Sequence, residues 1–388
     1  MAVRYVRVNP VSELFSPVIR ATGNVAVIGT APQGADNVPV PVADPGAVRA
    51  AFGPETVPDP ADPTKSVPNS ALTAALNLMF RQTPGPSRVW GVKAAGRATA
   101  AVADPAAALA AIENLDAQFV VVAGTPLDDG SGAPGGAIGK LAAHVASVSN
   151  TGAEGKERMG VAMLAKGSAD PAVVTGKGGL VSDRMIYVAH RSDQDAAAAV
   201  AGTIAGYPPH VSMLLKQVTI DSAPLTSTEI DALNGAETFG SGPAGKGVNW
   251  LVEPSLIPGG GVYLGEGYTG NPGDKKYIDV QRVIDDVSFK VKARLIRTIG
   301  QLRISRSGLR SLTVQMQAVL DPLVAEGVIE EYDIVIPVLD LLDADPDTLS
   351  EAQLRKIQNA QTDRFVEILV AVDYAGAVHR IAITLKFV

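Results

Sequence analysis

The sequence contains no cysteine. That removes disulfides, thiol nucleophiles and cysteine-ligated zinc together, and leaves the compartment open. Histidine is nearly as scarce: His144, His190, His210 and His379 are the only four. None stands four residues from another and no HExxH occurs, so they read as isolated surface or cap residues rather than metal ligands. Aromatic residues make up only 5% and charged residues 19%, against 46% hydrophobic. The apolar surface is therefore built from many small side chains, in a globular balance far from the signature of disorder. No apolar run reaches the ~18 residues of a membrane span. The opening MAVRYVRVNPVSELF has no apolar core region, so no signal peptide is expected. Positive charge is also short. A net charge of −7 argues against a general nucleic-acid binder, which is usually basic.

The sequence also lacks complete catalytic motifs. Gly240–Lys246, GSGPAGK, matches half of a phosphate loop. Gly247 stands where Ser or Thr should bind magnesium, and VNWLVEP follows in place of the helix whose N-terminus would hold phosphate. Gly29–Gly34, GTAPQG, follows an apolar run but is not GxGxxG, and Pro32 spoils a close phosphate approach. There is no GxSxG elbow. Only a Ser/His/acid set assembled from distant positions stays open to sequence reading. No cofactor and no metal is expected.

What is present is an alternation. Short Val/Ile-rich runs occur at 25–28, 89–92, 119–122, 161–164 and 185–188, with helix candidates at 70–81, 105–115, 138–150 and 193–204 between them. Continuous short apolar runs suit buried strands of a parallel sheet, and alternation with helices predicts an α/β layer. Residues 206–275 are Gly- and Pro-rich and read as loop. Helical periodicity returns at 277–299, where Ile278, Val283, Ile284, Val287 and Val291 fall on one stripe. A helix over 309–326 should stop at Gly327. Strand 332–338, helix 350–361 and strands 365–372 and 378–388 follow, with Asp373–Gly376 reading as the tight turn of a local hairpin. At the other end AVRYVRV alternates as a strand, with Val3, Tyr5, Val6 and Val8 its apolar residues, and Pro10 and Pro17 behind it. An isolated strand leaves its backbone groups unpaired, so it must pair elsewhere. The edge of the far-end strands, with Phe365, Ile368, Val370, Ile381, Ile383 and Leu385, is the expected acceptor.

Charge is segregated. Lys290, Lys292, Arg294, Arg297, Arg303, Arg306 and Arg310 lie in a stretch without an acidic residue, and residues 311–354 then hold ten acidic and no basic residues. Solvated faces would explain this, and so would complementary contacts with neighbouring subunits or an acidic partner.

Three stretches resemble one family. GNVAVIGTAPQGADNVPVPVADPGAVRAAFG at 23–53, SALTAALNLMFRQTPGPSRVWGVKA at 70–94 and YIDVQRVIDDVSFKVKARL at 277–295 are similar to the contractile tail sheath proteins of phages, R-type pyocins and extracellular injection systems. The resemblance spans nearly the whole chain as diffuse motifs. It implies an outer α/β domain of subtilisin-like topology without protease function, over 22–265. It also implies an inner α+β domain of residues 1–21 and 266–388 that faces the tail tube and adds strands between subunits. The expected function is structural: hexameric rings stacked around a tube, contracting to drive it through an envelope. The partners implied are further copies, the tube, the baseplate and a tail terminator, with neither nucleic acid nor membrane insertion. Assembly would occur in the host cytoplasm, and the mature site would be a virion tail or extracellular particle. The basic stretch from Lys290 to Arg310 is the expected tube contact. A soluble α/β enzyme or nucleotide-binding protein is the alternative.

Overall fold

The structure, a computed structural model, describes residues 21–94, 104–150, 155–237, 245–273 and 276–380. The chain divides into two compact units, one of residues 21–285 joined by the segment from Ala377 onward, the other of residues 286–376.

The larger unit is built on an eight-stranded sheet. In chain order its first part runs β1 (Asn24–Gly29), β2 (Pro39–Val42), α1 (Pro45–Phe52), a short antiparallel pair β3 (Thr56–Pro58) and β4 (Ser66–Pro68), α2 (Ala71–Phe80) and β5 (Arg88–Lys93). Then follow α3 (Ala106–Ala111), β6 (Phe119–Leu127), α4 (Ala137–Ser149), β7 (Met159–Leu164), α5 (Ala172–Thr175), β8 (Met185–Ala189) and α6 (Ala196–Gly206). The last part is α7 (Ser227–Asn234), β9 (Asn249–Val252) and β10 (Tyr263–Leu264). The strand order is β10-β9-β8-β7-β6-β1-β5-β2. The strands from β9 to β5 pair in parallel, and β10 and β2 close the two ends antiparallel.

Helices cover both faces, so the central strands bury both. Every residue of β1, β7 and β8 is buried, which is why the sequence shows continuous apolar runs rather than alternation. On one face lie α2 and α6. All residues of α6 up to Ala205 are buried, and most are alanine, which lets the helix approach closely. A Cβ on Gly202 would stand 2.9 Å from Met79 Cγ, so only glycine allows this α2–α6 contact. Asp195 caps α6 through the Ala198 amide and also accepts from the Gly124 amide at 2.7 Å, tying the helix to β6. Ser70 caps α2. The region read as loop, 206–275, contains α7, β9 and β10. Its strands are two to four residues long, too short to stand out against surrounding glycine and proline.

The smaller unit carries the rest of α8 (Ile278–Leu295), then α9 (Arg306–Ala325), β11 (Ile329–Val335), α10 (Pro337–Asp343), α11 (Glu351–Asp363) and β12 (Leu369–Tyr374). Gly327, at φ 68°, follows α9 as expected. β11 and β12 form a two-stranded antiparallel sheet. Within the acidic stretch the chain forms α10, opened by Pro337 in its first turn.

Two observations bear on the expected border and hairpin. The border expected at 265/266 lies against a compact division inside α8, at Asp285. The reason is polar: Asp279, Gln281 and Arg282 of the first α8 turns are buried, and Arg282 donates to the carbonyls of Thr22, Tyr207 and Pro208. The hairpin expected around Asp373–Gly376 is not made by the described residues. Residues 377–380 are in no strand and belong to the larger unit, so the stretch is a connection between units. Residues 381–388, with Ile381, Ile383 and Leu385, lie outside the described residues, as do Val3, Tyr5, Val6 and Val8 of the N-terminal strand.

Candidate functional site

An open α/β sheet binds ligands at the carboxyl ends of its strands, where the strand order reverses. Here that point lies between β1 and β6, and it is filled by protein. The Leu72 amide donates to Thr30 O. A Cβ on Gly29 would meet Leu72 Cβ at 2.9 Å, and one on Gly124 would meet Ala71 Cβ at 2.8 Å. The N-terminal turn of α2 occupies the place a phosphate would take. The half phosphate loop fares no better: β9 follows it, and Lys246 Nζ donates to Ala232 O at the end of α7. Most of that loop lies outside the described residues.

The histidines do structural work where the structure describes their partners. His190 is buried; its Nε2 lies 3.1 Å from Leu164 O and its Nδ1 accepts from the Ser192 amide, so its neutral tautomer is fixed. Burial holds its pKa below the ordinary value. Burial, and then the Arg158 guanidinium, push His144 down to about 4. No group of three or more metal-ligating side chains occurs among the described residues. The neutral imidazoles of buried His190 and half-exposed His144 set a pH dependence. In the unfolded chain both protonate near pH ~6.5, whereas in the folded chain they resist it. Stability should therefore be full above that pH and fall as pH drops toward 4, by at most about 1.4 kcal/mol per unit for each group. Half-exposed His144 should give less than this limit. Urea midpoints at pH 7.5 and 5.0 test this: His144→Gln should flatten part of the slope, and an unchanged slope refutes the assignment.

One set from distant positions does come together. Ser212 Oγ lies 2.8 Å from His379 Nε2, and His379 Nδ1 lies 3.0 Å from Glu266 Oε2. The order is that of a nucleophile–base–acid relay. Arg380 Nη1, however, stands 2.7 Å from the other oxygen of Glu266, so the carboxylate is already neutralised.

Surface character separates the two units. Of thirteen large hydrophobic residues that are exposed among those described, eight lie in 286–376: Ile296, Ile299, Val314, Val324, Leu354, Phe365, Leu369 and Val370. No residue of α10 or α11 is buried. Of the expected acceptor residues, Val370 pairs with Ile334 in the β11–β12 ladder, while Phe365 and Ile368 precede β12. The outer edges of β11 and β12 have no strand partner among the described residues.

The basic stretch is partly consumed within the subunit. Lys290 pairs with Asp286 at 2.7 Å. Arg310 pairs with Asp343 at 3.0 Å, and Arg306 binds Leu342 O beside the same aspartate. Arg294 donates to Gln315 Oε1 at 2.7 Å, and Lys292 is half-buried. Arg297 and Arg303 are exposed, with no side-chain partner among the described residues. Basic and acidic blocks thus meet at Asp343, a pairing that charge counting along the sequence does not reveal.

No family model and no curated protein sequence matches the chain. Solved structures do. The sheath complex of an extracellular contractile injection system, PVC, in its contracted state matches with a TM-score of 0.62 at 14% identity, covering 100% of this chain and 98% of that one. The anti-feeding prophage helical sheath, also contracted, matches at 0.61 and 15% identity, covering 100% and 99%. This is the contractile-sheath fold. A sheath tail protein from Desulfitobacterium hafniense shares it at 0.51 and 13% identity, over 86% of this chain and 92% of that one. The full-length match means that both units, and not only the α/β sheet, follow the sheath fold. Among the described residues no helix is long and apolar enough to cross a membrane.

Proposed function

We propose that the chain is a structural subunit of a contractile tail sheath. It would polymerise as stacked hexameric rings around a tube and contract to drive that tube through an envelope. The observation that carries this reading is the smaller unit. It buries only seven large hydrophobic residues, exposes eight, and ends in a two-stranded sheet whose outer edges lack strand partners among the described residues. A two-stranded sheet is at best marginal alone, and an apolar exposed surface of this density marks an interaction site. Further copies of the chain would cover it, with strands from residues 1–21 or 381–388 added to its edges. In this reading residues 21–285 form the outer domain, the smaller unit with the N-terminal arm forms the inner one, and baseplate and terminator proteins bound the polymer. The subtilisin-like topology serves as scaffold, without enzymatic activity, and the filled sheet crevice supports that. Assembly would take place in the host cytoplasm before the particle matures. Negative-stain microscopy of the expressed chain tests it: tubes or rings support the reading, whereas dispersed monomers that melt higher with a nucleotide support the enzyme alternative.

The tube contact is narrower than the sequence suggests. Arg306 and Arg310 already serve Asp343, so the available cations are Arg297 and Arg303. Exposed charge pairs are worth only ~0.2–1 kcal/mol each, but a lattice repeats them and salt weakens them. Reversing Arg297 and Arg303 to Glu should give sheath that separates from its tube, with a melting temperature within about 2 °C of the parent because neither side chain is paired among the described residues. Tube-filled extended sheaths from that variant would reject the contact.

A further inference from the structure

The larger unit holds a second ionic device, in the loop between β10 and α8. Glu266 is fully buried there. A lone carboxylate in such a place is strongly disfavoured unless it is paired. Its partners come from more than a hundred residues later. His379 Nδ1 stands 3.0 Å from one oxygen and Arg380 Nη1 2.7 Å from the other. Arg380 also reaches Glu237 Oε1 at 2.8 Å. The second nitrogen of His379 meets Ser212 Oγ, and its ring packs edge-on against Tyr277 with centroids 4.8 Å apart. Tyr277 in turn lies against Tyr268. Every functional face of the His379–Arg380 pair is thus received by a residue of the larger unit.

We propose that Glu266 is the socket of a clamp for residues 377–380, fixing the chain that leaves the smaller unit to the larger unit of the same subunit. The connectivity gives the clamp its purpose. Residues 286–376 are inserted in the sequence of the larger unit, so the chain passes between the units twice. At the incoming passage Asp285 pairs with Arg184 at 2.5 Å, with both side chains largely buried. At the outgoing passage the Glu266 socket does the same. Each covalent connection is therefore held by an ion pair inside the larger unit. Burial alone would raise the Glu266 pKa, but the bonds from His379 and Arg380 outweigh it and keep the carboxyl below its ordinary value. The clamp's mechanical consequence rests on the sheath reading: a pull on the chain beyond Arg380 would pass into the α/β core rather than into the connection that follows β12. The docking itself does not rest on that reading.

The same atoms suggest a Ser212–His379–Glu266 hydrolase relay. Against it, Arg380 neutralises the acid that would stabilise an imidazolium, and Ser212 Oγ accepts from the Leu214 amide at 3.3 Å.

Trypsin supplies the test, because cleavage after Arg380 requires its guanidinium to leave both carboxylates. On full-length, unassembled subunits the bond after Arg380 should be cut slowly. Glu266→Gln should speed that cut at least tenfold, with cuts elsewhere unchanged. Arg380→Lys keeps the cleavage site but cannot span two carboxylates as the guanidinium does; it should also be cut faster, and it serves if the glutamine variant fails to fold. Equal rates in the parent and both folded variants would overturn the clamp. So would covalent labelling of Ser212 by a fluorophosphonate that Glu266→Gln abolishes, which would make the cluster a nucleophile site. A chain that forms no tubes yet shows the protected Arg380 would reject the sheath reading and leave the clamp standing.

Discussion

Removing residues 2–16 should leave a subunit with an unchanged melting profile that forms no tubes. The sequence supplies one half of the argument. AVRYVRV alternates as a strand, and Pro10 and Pro17 prevent its continuation as a helix or central strand. The structure supplies the other half. The antiparallel pairing of β11 with β12 runs from Ile329–Tyr374 to Val335–Leu369 and leaves two outer edges without a strand partner among the described residues. Such an edge is a template for aggregation unless it is covered, and strand addition from another subunit covers it in an ordered way. Each ladder bond contributes only ~0.5–1.5 kcal/mol net. Three or four of them, with the valines buried at ~25 cal/mol per Å², hold a joint that can rotate without being lost. The fold of the larger unit should not depend on it, since the core residues described there begin at Val25, beyond the deleted segment. Thermal melting and negative-stain microscopy on the deletion variant check both halves. Normal tubes would reject the donated arm, and a variant unable to fold would favour pairing of the arm within its own subunit.

Legibility in the sequence followed burial. Where both faces of a strand are covered, as in β1, β5, β6, β7 and β8, the apolar runs at 25–28, 89–92, 119–122, 161–164 and 185–188 marked the strands directly. Helices with a side-chain cap were equally visible: Ser70 opens α2, and Ser350 with Gln353 opens α11 through a capping box. β9, at Asn249–Val252, was hidden because four residues between glycine-rich loops carry no period. β12 was placed a few residues early, because α11 runs to Asp363 and Arg364 closes it in the left-handed region at φ 53°. The expected acceptor residues Phe365 and Ile368 thereby fall before the strand rather than in it. The candidate surfaces were legible as composition and not as contacts. A run of seven cations looks uniform in sequence, but Asp343, brought over by α10, takes two of them. Glu266, with two glycine neighbours in a stretch read as loop, gave no sequence signal. Only its complete burial and its partners at 379 and 380 identify it.

Replacing Arg158 should destabilise the larger unit strongly. Arg158 stands just before β7 and is fully buried. Its guanidinium serves as a donor hub for backbone. Nη1 donates to Ile112 O at 3.0 Å, Nη2 to Glu113 O at 3.0 Å and Leu115 O at 2.9 Å, and Nε to Lys156 O at 3.2 Å. Three of those carbonyls belong to the turn after α3, where a helix end leaves acceptors without partners. The chain thus closes the α3–β6 turn with a side chain borrowed from the start of β7. Arg158→Met keeps most of the volume and removes every donor. Ile112 O keeps the Leu115 amide and the other acceptors are only partly buried, so what is lost is the bonds themselves, at about 1.5–3 kcal/mol for a charged donor and not additively, and a loss on the order of 3 kcal/mol is expected. Arg158→Lys should recover only part, since an ammonium is a point donor and lacks the planar fork that reaches several carbonyls at once. The neighbouring His144, whose Nε2 lies 3.3 Å from Nη1, reports on the same site. Without the guanidinium its pKa should rise from about 4 toward its ordinary value, against the burial that remains. Urea unfolding of the two variants with an NMR titration of His144 measures both effects. A methionine variant within about 1 kcal/mol of the parent would mean that water satisfies the turn and that Arg158 is not its keystone. The expected order of stability, parent above lysine above methionine, separates the donor role from simple space-filling, which would place methionine at or above lysine.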